Sequence, residues 1–303
     1  MDLLDKLSGG IDAAAMKKIA IITMFIDHLT LTCLEVARDA EGTRIMYTFP
    51  AGEMLDRIGR GIGRLAFPVF CFLIVEGFIH TKNRWMYLIR LLLFAAVAEV
   101  PFCLMAFPNS TRRHADTIFT LAAGYTLIWC ISALSRLLPA QYRPGPAVIL
   151  RSGEGGTGAP ADNRAAQADG TGAPADAADA DLLQLPAAID NLAVRAVLFL
   201  APSAVLTCGM CLLVKWAGCD YSYGGVLCIL ILYVFYKARD FSLVGAWLWL
   251  TYYNQSELLA ITGFSLIRCY NGKRGRQNKY FFYIFYPGHL LFLYLLRRAV
   301  WGN

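Results

Sequence analysis

Long apolar stretches recur along this 303-residue chain, and they constrain its fold more than any other feature. A helix needs about 20 mostly apolar residues to cross a bilayer, and only helices and closed barrels satisfy the backbone there. We count about nine stretches that meet or approach this length, at 18–36, 61–79, 88–107, 117–138, 192–217, 222–238, 241–253, 256–270 and 280–299. The sequence therefore predicts an all-α, polytopic transmembrane helix bundle.

The composition agrees with a membrane environment. Hydrophobic residues make up 57% of the chain and charged residues only 17%, which excludes an ordinary soluble domain. The net charge is +6, and Lys and Arg concentrate in alternate loops, which predicts a cytoplasmic N-terminus in a cell membrane. We expect the lipid bilayer as the surroundings and no nucleic-acid partner. The two short stretches that meet at 254–257 could form one broken or re-entrant unit.

Composition also divides the chain into two membrane halves. Residues 1–138 hold four stretches, and residues 191–303 hold about five. Between them, residues 139–190 are rich in Gly, Ala, Pro and Asp, and the string Gly-Thr-Gly-Ala-Pro-Ala-Asp occurs at 156–162 and again at 170–176. Such a segment has too few apolar residues to offset the entropy of ordering, so we predict a disordered linker within one functional membrane domain.

Two ionisable residues, Asp27 and His28, lie side by side inside the first apolar stretch. Ionisable groups at that depth are costly to bury and by default mark a functional site. Neighbours in a helix do not face each other, so Asp27 is not expected to contact His28 directly. The imidazole could act as a general base. The alternative is an interhelical hydrogen bond that holds the bundle together.

Four further polar residues lie in the second and third stretches or directly beside them. Glu76 and His80 are four residues apart and so share a helix face. Pro68 leaves the carbonyl of Arg64 without a donor, and we expect the helix to bend there. Arg64 then either binds an anion or carboxylate, or extends to the membrane interface. Glu99 needs a proton or a cationic partner at its depth.

A basic segment precedes the last apolar stretch, and its candidate binding residues are Asn271, Lys273, Arg274, Arg276 and Lys279. Guanidinium groups offer paired donors to phosphate, which favours a phosphate site. The same segment is also typical of an ordinary cytoplasmic loop. Beyond it, Tyr286 and His289 flank a Pro-Gly pair, and we expect His289 to face the bundle and to complete the site of His28.

Several short motifs in order resemble the TraX family: Ile-Thr-Met-Phe-Ile-Asp27-His28, Gly63-Arg64-Leu-Ala-Phe-Pro68-Val-Phe, Val-Glu76-Gly77-Phe, Glu99-Val-Pro101-Phe102, Phe119-Thr120-Leu, Tyr270-Asn271-Gly272-Lys-Arg274-Gly275 and Phe285-Tyr286-Pro287-Gly-His289-Leu. The resemblance omits the linker. The family's namesake is the F-pilin acetylase, an inner-membrane enzyme similar to the multi-span acyltransferases. The resemblance implies an N-acetyltransferase that uses acetyl-CoA and acts on a protein, peptide or small amine.

The resemblance also implies a role for individual residues. In the related multi-span acyltransferases a histidine in an early span serves as the base, and this role falls on His28. We further expect Arg64 or His289 to stabilise the oxyanion and Asp27 or Glu99 to hold the imidazole or the incoming ammonium. The CoA phosphates would bind the basic segment, at Lys273, Arg274, Arg276 and Lys279. No metal is expected.

Other readings of the sequence stay open. A proton-coupled transporter or lipid flippase could use Asp27, Glu76 and Glu99 as a relay, and a non-catalytic scaffold would tolerate the loss of these charges. The chain shows no internal repeat of the kind found in many transporters. Its nine cysteines lack the spacing of a metal site or disulfide framework, and we interpret them as apolar packing residues.

Overall fold

A computed structural model describes residues 10–107, 114–145, 191–276 and 279–302, without the side chains of residues 279 and 280. Ten α-helices lie in these ranges: α1 (Ala13–Thr30), α2 (Gly52–Gly63), α3 (Ala66–His80), α4 (Arg84–Ala106), α5 (Thr117–Leu134), α6 (Leu192–Trp216), α7 (Ser222–Val234), α8 (Arg239–Tyr253), α9 (Ile261–Arg268) and α10 (Lys279–Trp301). The described ranges contain isolated β-bridges but no strand. The all-α prediction is confirmed.

Five helical segments in the described part of the chain are long and apolar enough to cross a membrane: Ala13–Val36, Gly52–His80, Arg84–Ala106, Thr117–Leu137 and Leu192–Trp216. A sixth apolar helix, Ser222–Val234, is shorter. These helices support a membrane protein, but they do not confirm the predicted count of about nine spans. Most of the predicted linker, residues 146–190, lies outside the described residues.

The first helix changes its geometry soon after Asp27 and His28. Asp12 caps the start of α1 by accepting a hydrogen bond from the backbone of Ala15 at 2.7 Å. After Thr30 the helix widens into one π-helical segment, Leu31–Val36. The Thr32 hydroxyl donates to the carbonyl of His28 at 2.6 Å. Single π-turns of this kind are frequent at functional sites.

Two glycines let α2 approach α1 closely. A Cβ atom on Gly63 would lie 2.3 Å from Oδ1 of Asp27, and one on Gly59 would lie 2.0 Å from Oγ1 of Thr30. Small residues four apart permit this backbone approach between membrane helices. The second apolar stretch of the sequence starts at residue 61, but the helix begins earlier, at Gly52.

The chain breaks between α2 and α3, as the position of Pro68 predicted. Gly63 ends α2 and Ala66 begins α3, so Pro68 lies in the first turn of α3, where its missing N–H removes no helical hydrogen bond. Most side chains of α3 are buried, and this helix packs against α1, α5, α7 and α9. It therefore forms the centre of the bundle.

A second break separates α8 from α9. Tyr253 ends α8, and the side chain of Asn254 accepts a hydrogen bond from the backbone of Ser256 at 3.1 Å. A 3₁₀ segment, Gln255–Ala260, then leads into α9 and carries Glu257 into the interior, where that residue is fully buried. The broken unit that the sequence suggested at 254–257 is present.

The bundle has two ends that are fixed by contacts distant in sequence. At the first, which we call the loop end, residues 269–276 attach to the start of α1, with the backbone of Ala13 donating to the carbonyl of Lys273 at 2.9 Å. At the second, which we call the Arg297 end, the guanidinium of Arg297 donates to the carbonyls of Leu104 and Met105 at 3.2 and 2.8 Å. Both α1 and α10 run from the loop end to the Arg297 end.

Candidate functional site

The structure brings two histidines together that are 261 positions apart in the sequence. Nδ1 of His28 on α1 lies 2.8 Å from Nε2 of His289 on α10. The two rings are parallel to within 6°, and their centroids are 5.2 Å apart. This geometry fits a hydrogen bond in the plane of the rings rather than face-to-face stacking, because the two nitrogens are far closer than the centroids.

The partners of His289 fix which nitrogens carry protons in the neutral pair. Nδ1 of His289 lies 2.9 Å from the carbonyl oxygen of Phe285, which only accepts, so this nitrogen carries the hydrogen. Nε2 of His289 then accepts, and Nδ1 of His28 donates to it. The lone pair of His28 is therefore on Nε2, which is the atom able to take a proton from a substrate.

Aromatic side chains hold both imidazoles in place. The ring of Phe285 stacks on that of His289 with centroids 4.9 Å apart, and the ring of Phe25 lies 6.1 Å away. Tyr286 is buried and lies edge-on to His28, at 6.5 Å between ring centroids. The predicted site residues Tyr286 and His289 thus both lie beside His28.

Asp27 faces α2 rather than the histidine pair. Its Oδ2 lies 2.6 Å from the Arg60 guanidinium, and Nε of Arg60 is 2.9 Å from Oε1 of Glu35. Sequence reasoning missed Arg60 because this residue lies just before the predicted stretch at 61–79. A signal was available, since Asp27 and Glu35 are eight residues apart in the first apolar stretch. That is about two helical turns, so a single cation can bind both.

Arg64 forms the most buried ion pair among the described residues. Its guanidinium lies 2.5 Å from Oε1 of Glu257 and 3.3 Å from the Tyr221 hydroxyl. The Glu257 side chain is 1% exposed and the Arg64 side chain 17%. Sequence reasoning identified Arg64 but not Glu257, whose polar neighbours at 254–256 suggested only a break between helices.

Glu76 and His80 lie at the loop end, away from the histidine pair. Glu76 accepts hydrogen bonds from the hydroxyls of Tyr236 at 2.6 Å and Tyr270 at 3.1 Å. Nε2 of His80 is 3.3 Å from the same carboxylate, so the two residues share a helix face as predicted. This group joins α3 to the segments around α8 and α9.

Glu99 lies toward the Arg297 end and not against the imidazoles. Its Oε2 accepts the backbone N–H of Asp116 at 3.0 Å, and its Oε1 is 3.7 Å from the Cys103 sulfur. No described hydrogen bond or ion pair joins Glu99 or Arg64 to His28. The partner of the His28 ring is therefore His289.

The basic segment is attached to the start of α1. The Asn271 side chain accepts from the backbone of Lys273 at 3.0 Å and donates to the carbonyl of Gly10 at 3.3 Å. Lys273, Arg274 and Arg276 are exposed. Lys17 of α1 lies near enough to Arg274 for the two positive charges to interact. The side chain of Lys279 lies outside the described residues.

The arrangement supplies an imidazole base inside the bundle and a cluster of cations at the loop end. Within the described ranges no three His, Cys, Asp or Glu side chains are placed to hold a metal ion. Because both α1 and α10 extend from the cations to the histidine pair, a long ligand bound at the loop end could follow these helices to His28. Such an arrangement can support base catalysis on a ligand that carries an anionic group at one end.

Comparison with known proteins assigns a family. Residues 12–149 and 187–297 match the family model described as TraX protein, which covers most of the chain. A curated relative from Dichelobacter nodosus, named "Probable fimbrial assembly protein FimC, serogroup H1", is 34% identical over 134 residues. That match covers 44% of this chain and 48% of the relative, so the chain spans about half the length of that protein. No solved structure matches the chain.

Proposed function

This chain belongs to the TraX family, and from that membership and its histidine pair we propose that it is an integral membrane N-acetyltransferase. It transfers acetyl from acetyl-CoA to an amine acceptor. The observation that carries the proposal is the 2.8 Å contact between His28 and His289, because it leaves a basic nitrogen on His28 inside the bundle.

The relative's name guides the choice of acceptor. That relative is named for fimbrial assembly, and the similarity supports a pilin-related role for this chain. We therefore propose that the acceptor is the N-terminal amine of such a subunit. The family's namesake acts on an acceptor of this class.

The transfer proceeds by direct attack. The acceptor amine nitrogen bonds to the thioester carbonyl carbon while Nε2 of His28 takes a proton from that nitrogen. The carbon–sulfur bond then breaks, and the CoA thiolate leaves and receives the proton from His28. The products are the N-acetyl amide and CoA. His289 orients the His28 ring and stabilises its protonated form, since its Nε2 accepts the hydrogen bond from Nδ1 of His28.

Acetyl-CoA binds with its phosphates at the loop end, on Lys273, Arg274, Arg276 and Lys279. The exposed guanidinium groups suit phosphate oxygens. From Ala13 to His28 the helix rises about 22 Å, so the pantetheine arm follows α1 and α10 into the bundle. With a cytoplasmic N-terminus and about nine spans in a cell membrane, this loop faces the cytosol, which is where acetyl-CoA occurs.

An acetyl-transfer assay tests the proposal. The full-length protein in nanodiscs would receive radiolabelled acetyl-CoA and a peptide with a free N-terminus, and mass spectrometry would detect the acetylated product. We expect the rate to fall at least about a hundredfold in His28→Ala, because a general base contributes that much. Asp240→Asn changes an exposed ion pair and serves as the control, with unchanged activity.

A wild-type protein that neither binds acetyl-CoA nor acetylates any amine would contradict the proposal. A proton-dependent flux through proteoliposomes without acetyl-CoA would then favour the transporter. Near-normal transfer by His28→Ala would instead retain the enzyme and reject His28 as its base.

A further inference from the structure

Three carboxylates meet at the Arg297 end, where α4 ends and where α5 and α7 begin. The backbone N–H of Asp116 donates to Oε2 of Glu99 at 3.0 Å. The backbone N–H of Asp220 donates to the carbonyl of Ala115 at 2.8 Å, and its carboxylate accepts from the Thr117 hydroxyl at 2.8 Å. Within the described ranges, no Lys, Arg or His lies within ion-pair distance of these three carboxylates.

Asp116 has an oxygen that lacks a donor. Its Oδ1 caps α5 by accepting the backbone N–H groups of Ile118 and Phe119 at 2.9 and 3.2 Å. Its Oδ2 is buried and has no hydrogen-bond partner, and the whole residue is 0% exposed. A buried carboxylate oxygen without a donor is costly. A ligand that brings a hydrogen-bond donor and a positive charge would remove that cost.

The negatively charged neighbours of Asp116 also favour a cation at this position. Burial, together with the negative charge of Glu99, raises the pKa of Asp116 to about 8. Asp220 is near enough to contribute in the same direction. A positive charge among the three groups would oppose this effect, because an opposite charge favours the ionised form of a carboxyl.

Tyr286 connects this group of carboxylates to the histidine pair. Its ring lies 6.5 Å from that of His28, measured between centroids. The charges of Glu99, Asp116 and Asp220 are close enough to act on its hydroxyl. A ligand held by the three carboxylates would therefore lie within electrostatic range of Tyr286, the side chain that borders His28.

We propose that Glu99, Asp116 and Asp220 form the binding site for the cationic primary amine of the acceptor, at the end of the bundle opposite the basic loop. The assignment rests on the acetyl transfer proposed above. An ammonium group has N–H donors, no acceptor and a positive charge, so it suits the buried Asp116 oxygen that lacks a donor and the negative charges of Glu99 and Asp220 around it. A role for Glu99 in binding the amine also explains why Glu99 does not contact the imidazoles.

The basic loop and the three carboxylates lie at opposite ends of the bundle, with the histidine pair between them. Ala13 and Lys273 mark the loop end, and Arg297 binds the last turn of α4 at the other end. His289 is about 15 Å along α10 from Lys279 and about 12 Å from Arg297, so the histidine pair lies between them. Acetyl-CoA and the acceptor therefore enter from opposite ends. The bound ammonium first leaves one proton on the carboxylates, and the neutral amine that results gives a second proton to His28 as it attacks the thioester.

Binding of a simple ammonium compound without acetyl-CoA tests the site. The probe is alanyl-alanine amide, and its N-acetyl form, which has no charge, is the matched comparison. Isothermal titration calorimetry would measure binding to the full-length protein in nanodiscs, beside Asp116→Asn and Asp220→Asn. Asparagine caps a helix as well as aspartate does, so Asp116→Asn removes the carboxyl group that can ionise and keeps the cap. Asp240→Asn, at the other end, is the control.

We expect the free amine to bind the wild type and Asp240→Asn with equal affinity. In each of the two site variants, the Kd for the free amine should rise at least about tenfold. We expect no binding of the N-acetyl form. Failure of the wild type to bind the free amine, equal binding of both probes, or wild-type affinity in both site variants would overturn the proposal. If Asp116→Asn does not fold, the Kd of Asp220→Asn, which changes an exposed residue, decides the test alone.

Amine binding and acetyl transfer, measured together, distinguish a failure of this site from a failure of the proposed enzyme activity. Charge-dependent amine binding in a protein that never transfers acetyl would reject the acetyltransferase and retain the site. Acetyl transfer with unchanged amine affinity in the site variants would reject the site and retain the acetyltransferase.

Discussion

The Arg64–Glu257 ion pair gives the sharpest prediction about stability. Its Glu257 side chain is 1% exposed, and the two charged groups are 2.5 Å apart. The substitution Glu257→Gln keeps the shape of the side chain and an oxygen that can accept from Arg64, but it removes the counter-charge. The Arg64 guanidinium, 17% exposed, would then remain inside the bundle without a carboxylate.

Breaking a buried pair by removing one partner costs about 3–5 kcal/mol. We expect about 3 kcal/mol for Glu257→Gln, at the lower limit of that range, because Gln retains one hydrogen bond and Arg64 has some exposure. The matched control is Asp240→Asn, which breaks the 3.2 Å pair with Arg268, where both side chains are more than half exposed. Pairs as exposed as this contribute at most about 1 kcal/mol.

The assay is denaturant unfolding of the protein in detergent, followed by the loss of helical circular dichroism. Glu257→Gln should lower the free energy of unfolding clearly more than Asp240→Asn. Replacing both partners, as in Arg64→Met with Glu257→Leu, should recover most of the loss, because no uncompensated charge remains. Equal effects of Glu257→Gln and Asp240→Asn would refute the claim that this pair is buried and required.

Two further predictions follow from local geometry. Gly63→Ala should destabilise the protein by about 1–3 kcal/mol, because its Cβ would overlap Asp27, whereas Gly209→Ala, in open space on α6, should be neutral or slightly stabilising in the same unfolding assay. The pKa of Asp116 rises from 3.8 to about 8 on burial, so the folded protein binds more protons than the unfolded chain between these values. Its stability should therefore fall as pH rises from about 4 to about 8, and Asp116→Asn should flatten that part of the profile; an identical profile in the variant would contradict the assignment.

The sequence predicted the helical class and much of the site because burial of polar groups leaves a visible pattern. Asp27, His28 and His289 stand out as ionisable residues inside apolar stretches, and the structure places both histidines in contact. The break after Gly63 was predictable from Pro68, since proline constrains the backbone locally. These features depend on residues within one or two helical turns.

Other features depend on tertiary contacts and were not predictable. Arg60 lies on α2, whose glycines and charges give a weak helical signal, and only the close packing against α1 reveals its role. Glu257 lies in a polar segment that resembles a loop until the 3₁₀ turn carries it inward. The unpartnered oxygen of Asp116 is set by three separate elements meeting in space, for which one sequence has no signal.

The hydrogen bond between the two imidazoles is the central claim, and one comparison tests it most directly. The measurement is the rate of acetyl transfer at saturating acetyl-CoA for His289→Gln beside His289→Leu. The Gln oxygen can accept from Nδ1 of His28, as Nε2 of His289 does, whereas Leu cannot. We predict that Gln retains activity within about tenfold of wild type and that Leu loses at least about a hundredfold. Wild-type rates in His289→Leu, or equal loss in both variants, would contradict the account.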